Sequence, residues 1–228
     1  MITIKNKKIR DILRFTIPFI VIPLIVIFGA FLVNGKNSLL VSFLVAMAAV
    51  VLFIAGFEKR KTGTRRMVIV SVMTALCIVG RFIPFFKPVT ALTVLTAVYF
   101  GGEAGFLVGA LAAVLSNFYF GQGPWTPFQM LAWGIIGYVA GLLGKYLEKN
   151  RILLLIYGVL SGIVFSFIMD VWTVMWYNNG FSITLYIAAL GTALPYTILY
   201  AVSNFIFLFF MAKPFGDKFL RIKIKYGV

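Results

Sequence analysis

The stretch from Asn117 to Gly141, NFYFGQGPWTPFQMLAWGIIGYVAG, gathers side chains able to recognise a small molecule: Asn117, Gln122, Trp125, Thr126, Gln129 and Trp133, set around Gly121, Gly123, Pro124 and Pro127. Amides offer paired donors and acceptors, and indoles offer flat apolar faces. Together they suit a planar ring with polar edges. A polar, aromatic, turn-rich segment between two apolar runs is a candidate binding lid. The same composition also makes an interfacial loop, where Trp and Tyr sit at headgroup depth and Gly and Pro bend the chain. Asp170 is the only acid inside a long apolar run, IVFSFIMDVWTVMW. Burying a carboxylate costs several kcal/mol unless it pairs or faces a wet cavity. Asp170 therefore marks either a functional site or a clamp, and Arg81, at the end of another apolar run, is its natural partner.

Other chemistry is excluded by what the sequence lacks. It has no histidine, which removes imidazole general bases, zinc H-E-x-x-H sites and Ser-His-Asp catalysis together. The six acids, Asp11, Glu58, Glu103, Glu148, Asp170 and Asp217, include no two at a close helical spacing, so paired carboxylates require tertiary contact. Cys77 is the single cysteine and lies in an apolar run, which allows neither an internal disulfide nor a thiolate metal cage. No G-x-x-x-x-G-K-[ST] loop is present, so the chain cannot hydrolyse ATP by the usual P-loop route and any uphill transport must be powered elsewhere. A membrane enzyme would have to use Ser161 with Asp170. Nine residues along one helix put those two about 13 Å apart, beyond hydrogen-bond reach.

The elements that must position these residues are membrane spans. At 62% hydrophobic residues and a mean hydropathy of +1.03, the chain has too little polar surface for a soluble globule of 228 residues. The net charge of +15 sits in short runs between apolar segments, which are topology signals; no nucleic-acid partner is implied. Apolar runs cover residues 15–33, retained as a first helix with Pro18 and Pro23 kinking it, then 39–57, 67–83, 128–144, 152–172 and 187–212. Residues 89–118 make either one helix or two that turn at Gly101-Gly102-Glu103. Charge parity favours two: 18 of the 21 Lys and Arg residues then fall on one side. The expectation is an all-α membrane protein of about eight transmembrane helices with both termini cytoplasmic.

On that topology, residues 81–88, 117–127 and 172–183 share the outer face, where Arg81, Asn117, Gln129 and Asp170 lie near helix ends. Glu103, in an inner turn, is explained by capping a helix N-terminus. Gly101, Gly105 and Gly109, Gly137 and Gly141, and Gly158 and Gly162 repeat at intervals of four, the spacing that lets membrane helices approach closely. Asn204, one turn beyond Tyr200, either lines a cavity or bonds across helices.

From Arg66 onward the chain resembles the substrate-binding S components of energy-coupling factor (ECF) transporters, which import vitamins in bacteria. The resemblance rests on Gly80-Arg81-Phe82, Pro88-Val89-Thr90-Ala91 and Gly101-Gly102-Glu103-Ala104-Gly105-Phe106. Its longest block is Phe120-Gly121-Gln122-Gly123-Pro124-Trp125-Thr126-Pro127-Phe128-Gln129-Met130, with Trp133-Gly134 after it. Within the group it looks nearest the cobalamin-type members. It implies a six-helix core over residues 67–228, preceded by two further spans and a basic cytoplasmic loop in residues 1–66. It also implies a vitamin-like small-molecule substrate, a transmembrane coupling subunit and two ATPase subunits as partners, residence in a bacterial cell membrane, and no catalysis or cofactor in this subunit. Small residues at intervals of four on the first core helix would dock on the coupling subunit. Ser71 and Ala75 fit, whereas Val79 departs from the pattern. The pocket expected is Arg81, Asn117, Gln122, Trp125, Gln129, Trp133, Asp170 and Trp172. Its aromatics and amides suit flavins, corrins, pterins and purine-like bases (queuosine-type among them) alike, with cobalamin the first expectation. A non-transport membrane enzyme and a structural subunit are the other readings.

Overall fold

The computed structural model describes residues 6–32, 38–55, 60–178 and 180–227, and among these every regular element is helical. The N-terminal part is α1 (Lys7–Thr16) and α2 (Ile22–Leu32), joined by a π-helical turn at Ile17–Val21, followed by α3 (Ser38–Ala55). Pro18 lies inside the π turn and Pro23 just after it. Proline removes a backbone donor, and a wider turn is one way for a helix to absorb that loss without ending. The remainder is α4 (Arg60–Gly80), α5 (Val89–Phe100), α6 (Gly102–Phe120), α7 (Trp125–Leu142), the short α8 (Gly144–Lys149), α9 (Arg151–Asn178) and α10 (Ile183–Tyr226).

Residues 89–118 form two helices, as charge parity requires. The break is at Gly101, whose φ of 95° is open to glycine and closed to most other residues. Gly121, at φ 103°, ends α6 in the same way. Among the described residues, four segments are long and apolar enough to cross a membrane: Lys7–Ala30, Gly102–Phe120, Arg151–Tyr177 and Ile183–Tyr226; Leu39–Ala55 and Val89–Phe100 are shorter apolar helices. The chain is a multi-pass membrane protein. Its last helix exceeds the expected span at 187–212. Its 44 residues reach about 66 Å, roughly twice a bilayer's hydrocarbon core. The extra turns are amphipathic: Phe219 packs on the rings of Tyr99 and Phe100 while Lys218 and Lys225 stay exposed.

Within the bundle, α6 is the axis. Buried over 72% of its apolar window, against 22% for α10, it packs on α3, α4, α5 and α7. The glycine spacing explains how. A Cβ added to Gly137 would lie 2.7 Å from the Gly105 carbonyl, and one added to Gly109 would lie 2.7 Å from that of Trp133. The α6 and α7 backbones thus touch with no side chain between them. In α9 and α10, Gly162 faces the Ala201 backbone in the same manner. Cys77 is buried in the core.

Candidate functional site

Three connections lie at one end of the bundle: residues 81–88, residues 121–124 and the turn before α10. The segment between α6 and α7 is shorter than a lid. Asn117 stands in the last turn of α6, and Trp125, Gln129 and Trp133 stand on α7, so the recognising groups are carried by rigid helices.

Asn117 is the hub. It is 1% exposed, its Oδ1 accepts from Arg81 Nη1 at 2.6 Å, and its Nδ2 donates to Thr126 Oγ1 and Gln129 Oε1, both at 2.8 Å. Arg81 also donates to Ser116 Oγ, and its guanidinium lies 4.8 Å from the Phe120 ring centroid and 5.6 Å from that of Trp133. Gln122 ties the turn down: its Nε2 donates to the Val114 carbonyl at 2.7 Å and its Oε1 accepts from Thr126 at 3.1 Å. Trp133 Nε1 donates to Thr90 Oγ1 at 3.2 Å. Arg81, Asn117, Gln122 and Gln129 are therefore linked through one set of hydrogen bonds, with the Trp133 ring against the Arg81 guanidinium.

The expected Arg81–Asp170 pair is not formed. Two neutral acceptors from α6 and two ring faces already hold the guanidinium. Asp170, although only 7% exposed, leaves Oδ2 buried without a hydrogen-bond partner. Trp172 Nε1 and Arg81 Nε are also buried without a partner. An acceptor and two donors in this region thus have hydrogen-bonding capacity unspent, which a folded chain rarely leaves without purpose.

Aromatic side chains join the two halves. Trp125 meets Trp172 edge to face at 5.8 Å, and Trp133 stacks on Phe165 at 4.9 Å. Phe165 in turn meets Tyr200 at 5.2 Å, and Tyr200 lies within electrostatic range of both Arg81 and Asp170. Sequence reasoning missed Ser116, Thr90 and Phe165. A serine beside Asn117 is a weak signal, and a phenylalanine in an apolar run is none.

The 81–88 connection adds positive charge and strain. Lys87 has its ammonium pKa lowered, first by burial and then by the Arg81 charge, so both cations act on the same region. Its backbone exchanges hydrogen bonds with the Ser203 hydroxyl of α10 at 3.1 and 3.3 Å. Phe85 holds φ at 61° while Phe86 N–H bonds the Pro84 carbonyl at 2.6 Å, a tight turn that a bulky residue adopts only under strain. Asn204 is a structural residue: its amide donates to the Gly158 carbonyl at 3.1 Å. Ser161, the nucleophile a membrane enzyme would require, is buried and donates to the Tyr157 carbonyl at 2.7 Å.

Among known proteins, the model of the family "ECF-type riboflavin transporter, S component" matches residues 61–216. The chain belongs to this family. Its membership identifies it as a transporter subunit of the ECF class and corrects the expected nearness to cobalamin-type members, since the matching family is the riboflavin type. The match begins at the head of α4 and ends within α10, so α1 to α3 lie outside it. No curated protein and no solved structure gives a significant match.

Proposed function

We propose that this chain is the riboflavin-binding subunit of an ECF importer. It captures the vitamin at the face carrying the 81–88 and 121–124 connections and delivers it by docking on a transmembrane coupling subunit driven by two ATPase subunits. The family match carries this reading. The site supports it chemically. Isoalloxazine is a planar tricycle with an apolar dimethylbenzene end and an imide end that both donates and accepts hydrogen bonds. Trp125, Trp133 and Trp172 supply flat apolar faces for the first, and Arg81, Gln129 and Asp170 supply polar groups for the second. Asn117 and Gln122 hold the frame. The reading includes about eight crossings with cytoplasmic termini, which puts the site outside.

For docking, Ser71 and Ala75 stand exposed on α4, and the Ser71 hydroxyl is turned back to the Met67 carbonyl at 3.0 Å, so its side presents as small and apolar. Below them an apolar groove of about 370 Å³ opens between α4 and α10, lined by Val68, Val72, Phe219 and Ile222 among others. Val79, 66% exposed, continues the same face, so a close approach of another helix is easiest near Ser71 and Ala75.

The test is a binding titration of the purified chain with riboflavin, read by quenching of flavin fluorescence, with cobalamin and a pterin as controls. Uptake is then measured in cells with and without the coupling and ATPase subunits. Saturable riboflavin binding and uptake that needs every subunit are expected. Binding of a control in place of riboflavin would overturn the substrate assignment, and uptake without the ATPases would overturn the mechanism.

A further inference from the structure

We propose that the α6–α7 face of the core is an interaction surface whose partner is the chain's own N-terminal segment, residues 7–55, locked in place by an ion pair between Arg14 and Glu103. That segment acts as a permanent lateral strap. The strap stands without any functional reading.

Glu103 is the pivot. It occupies the first turn of α6, beside the glycine break, and its side chain is 3% exposed. A carboxylate there gains from the positive end of the helix, but burial leaves it in need of a cation. Arg14 of α1 supplies one, donating from Nε to Oε1. The contact is reinforced from α7: the Tyr138 hydroxyl donates to the Arg14 carbonyl, and the Tyr138 ring meets Phe19 edge to face at 5.5 Å. Arg66 of α4 donates to the Phe100 carbonyl at the same turn and lies 5.9 Å from the Phe53 ring of α3. Helices from the strap and from the core therefore meet at a single glycine turn.

Apolar packing continues the joint. Ile22, Val26, Val45, Ala49 and Leu52 are all 0% exposed and belong to the same cluster as the buried residues of α6 and α7. Yet this segment lies wholly before residue 61, where the family match begins. A core of the matched length would present α6 to its surroundings; here α3 covers it. With the strap in place, α4, α9 and α10 all keep apolar side chains exposed, among them Val72, Leu160 and Phe210.

The lock is tested on the full chain with a protease site inserted between residues 56 and 59. After cleavage in detergent, the N-terminal fragment should co-elute with the core; separation of the fragments in the unsubstituted chain would overturn the strap. A double-mutant cycle of Arg14→Ala and Glu103→Gln, read by thermal unfolding, should show coupling, with Arg14→Ala harmful only while Glu103 keeps its charge. Additive shifts would overturn the ion pair as the lock.

Discussion

Asp170→Asn should make the empty protein more stable and riboflavin binding weaker. In the folded chain Asp170 is 7% exposed with Oδ2 buried and unpartnered. A buried acceptor without a partner costs about 1–3 kcal/mol, and more if it is charged. Asparagine keeps the shape and removes the charge, so about 1–2 kcal/mol of that cost is relieved. For a chain of this size each kcal/mol moves the unfolding midpoint by roughly 2–4 °C, so a rise of a few degrees is expected. If the carboxylate receives a ligand N–H, the substitution also removes a charge-assisted hydrogen bond of about 1.5–3 kcal/mol, which is about 10- to 150-fold in Kd. The two effects have opposite signs, and that opposition identifies a group held for binding. The assay is thermal unfolding of detergent-solubilised protein with and without riboflavin, beside a fluorescence titration. A midpoint that falls while Kd stays unchanged would show that Asp170 supports the fold, and the pocket would have to be redrawn without it.

Asn117→Ala should lower the unfolding midpoint by roughly 5–10 °C. It removes bonds to Arg81, Thr126 and Gln129 and strands their buried partners, a loss of about 2–4 kcal/mol. Gly137→Val should abolish a monodisperse folded species by size-exclusion chromatography, because its Cβ would meet the Gly105 backbone; Gly191→Val, with nothing within 4 Å of its Cβ, should leave elution unchanged. Trp125→Ala, which strips the edge-to-face partner of Trp172, should weaken riboflavin binding about tenfold while the protein still elutes as folded. Ser71→Leu together with Ala75→Leu should leave riboflavin affinity intact and abolish ATPase-dependent uptake, since both residues are exposed on α4 and lie away from the pocket.

The helical architecture was legible because its causes are local. Apolar runs of spanning length, glycines at intervals of four and the distribution of basic residues each constrain the fold without tertiary knowledge. The last helix was read too short because its final turns carry charge. A hydropathy reading stops at Lys213, but the backbone does not, since Phe219 still has Tyr99 and Phe100 to pack on. The two N-terminal spans were visible as apolar runs, 15–33 and 39–57, but their attachment was not. Nothing in the local sequence ties Arg14 to Glu103, 89 residues away, and Glu103 on its own reads adequately as a helix cap.

The site was legible by residue type more than by partnership. Polar groups amid apolar runs declare themselves, so Arg81, Asn117, Gln129 and Asp170 stood out at once. Their pairing did not, because opposite charges suggest each other before neutral acceptors do. The structure gives Arg81 to Ser116 and Asn117, residues that sequence inspection ranks below a carboxylate. That outcome sharpens the functional case. An Arg81–Asp170 pair would have satisfied both charges and left a clamp with nothing to offer a ligand. With the guanidinium held by α6 and two aromatic rings, Arg81 is fixed in place, and Asp170 keeps an unspent acceptor within electrostatic range of Tyr186 and Tyr200. A pocket that spends its own polar groups on itself binds little. On the proposed reading the pocket leaves Asp170 Oδ2, Trp172 Nε1 and Arg81 Nε unspent, one acceptor and two donors for a ring whose imide edge carries both kinds of group.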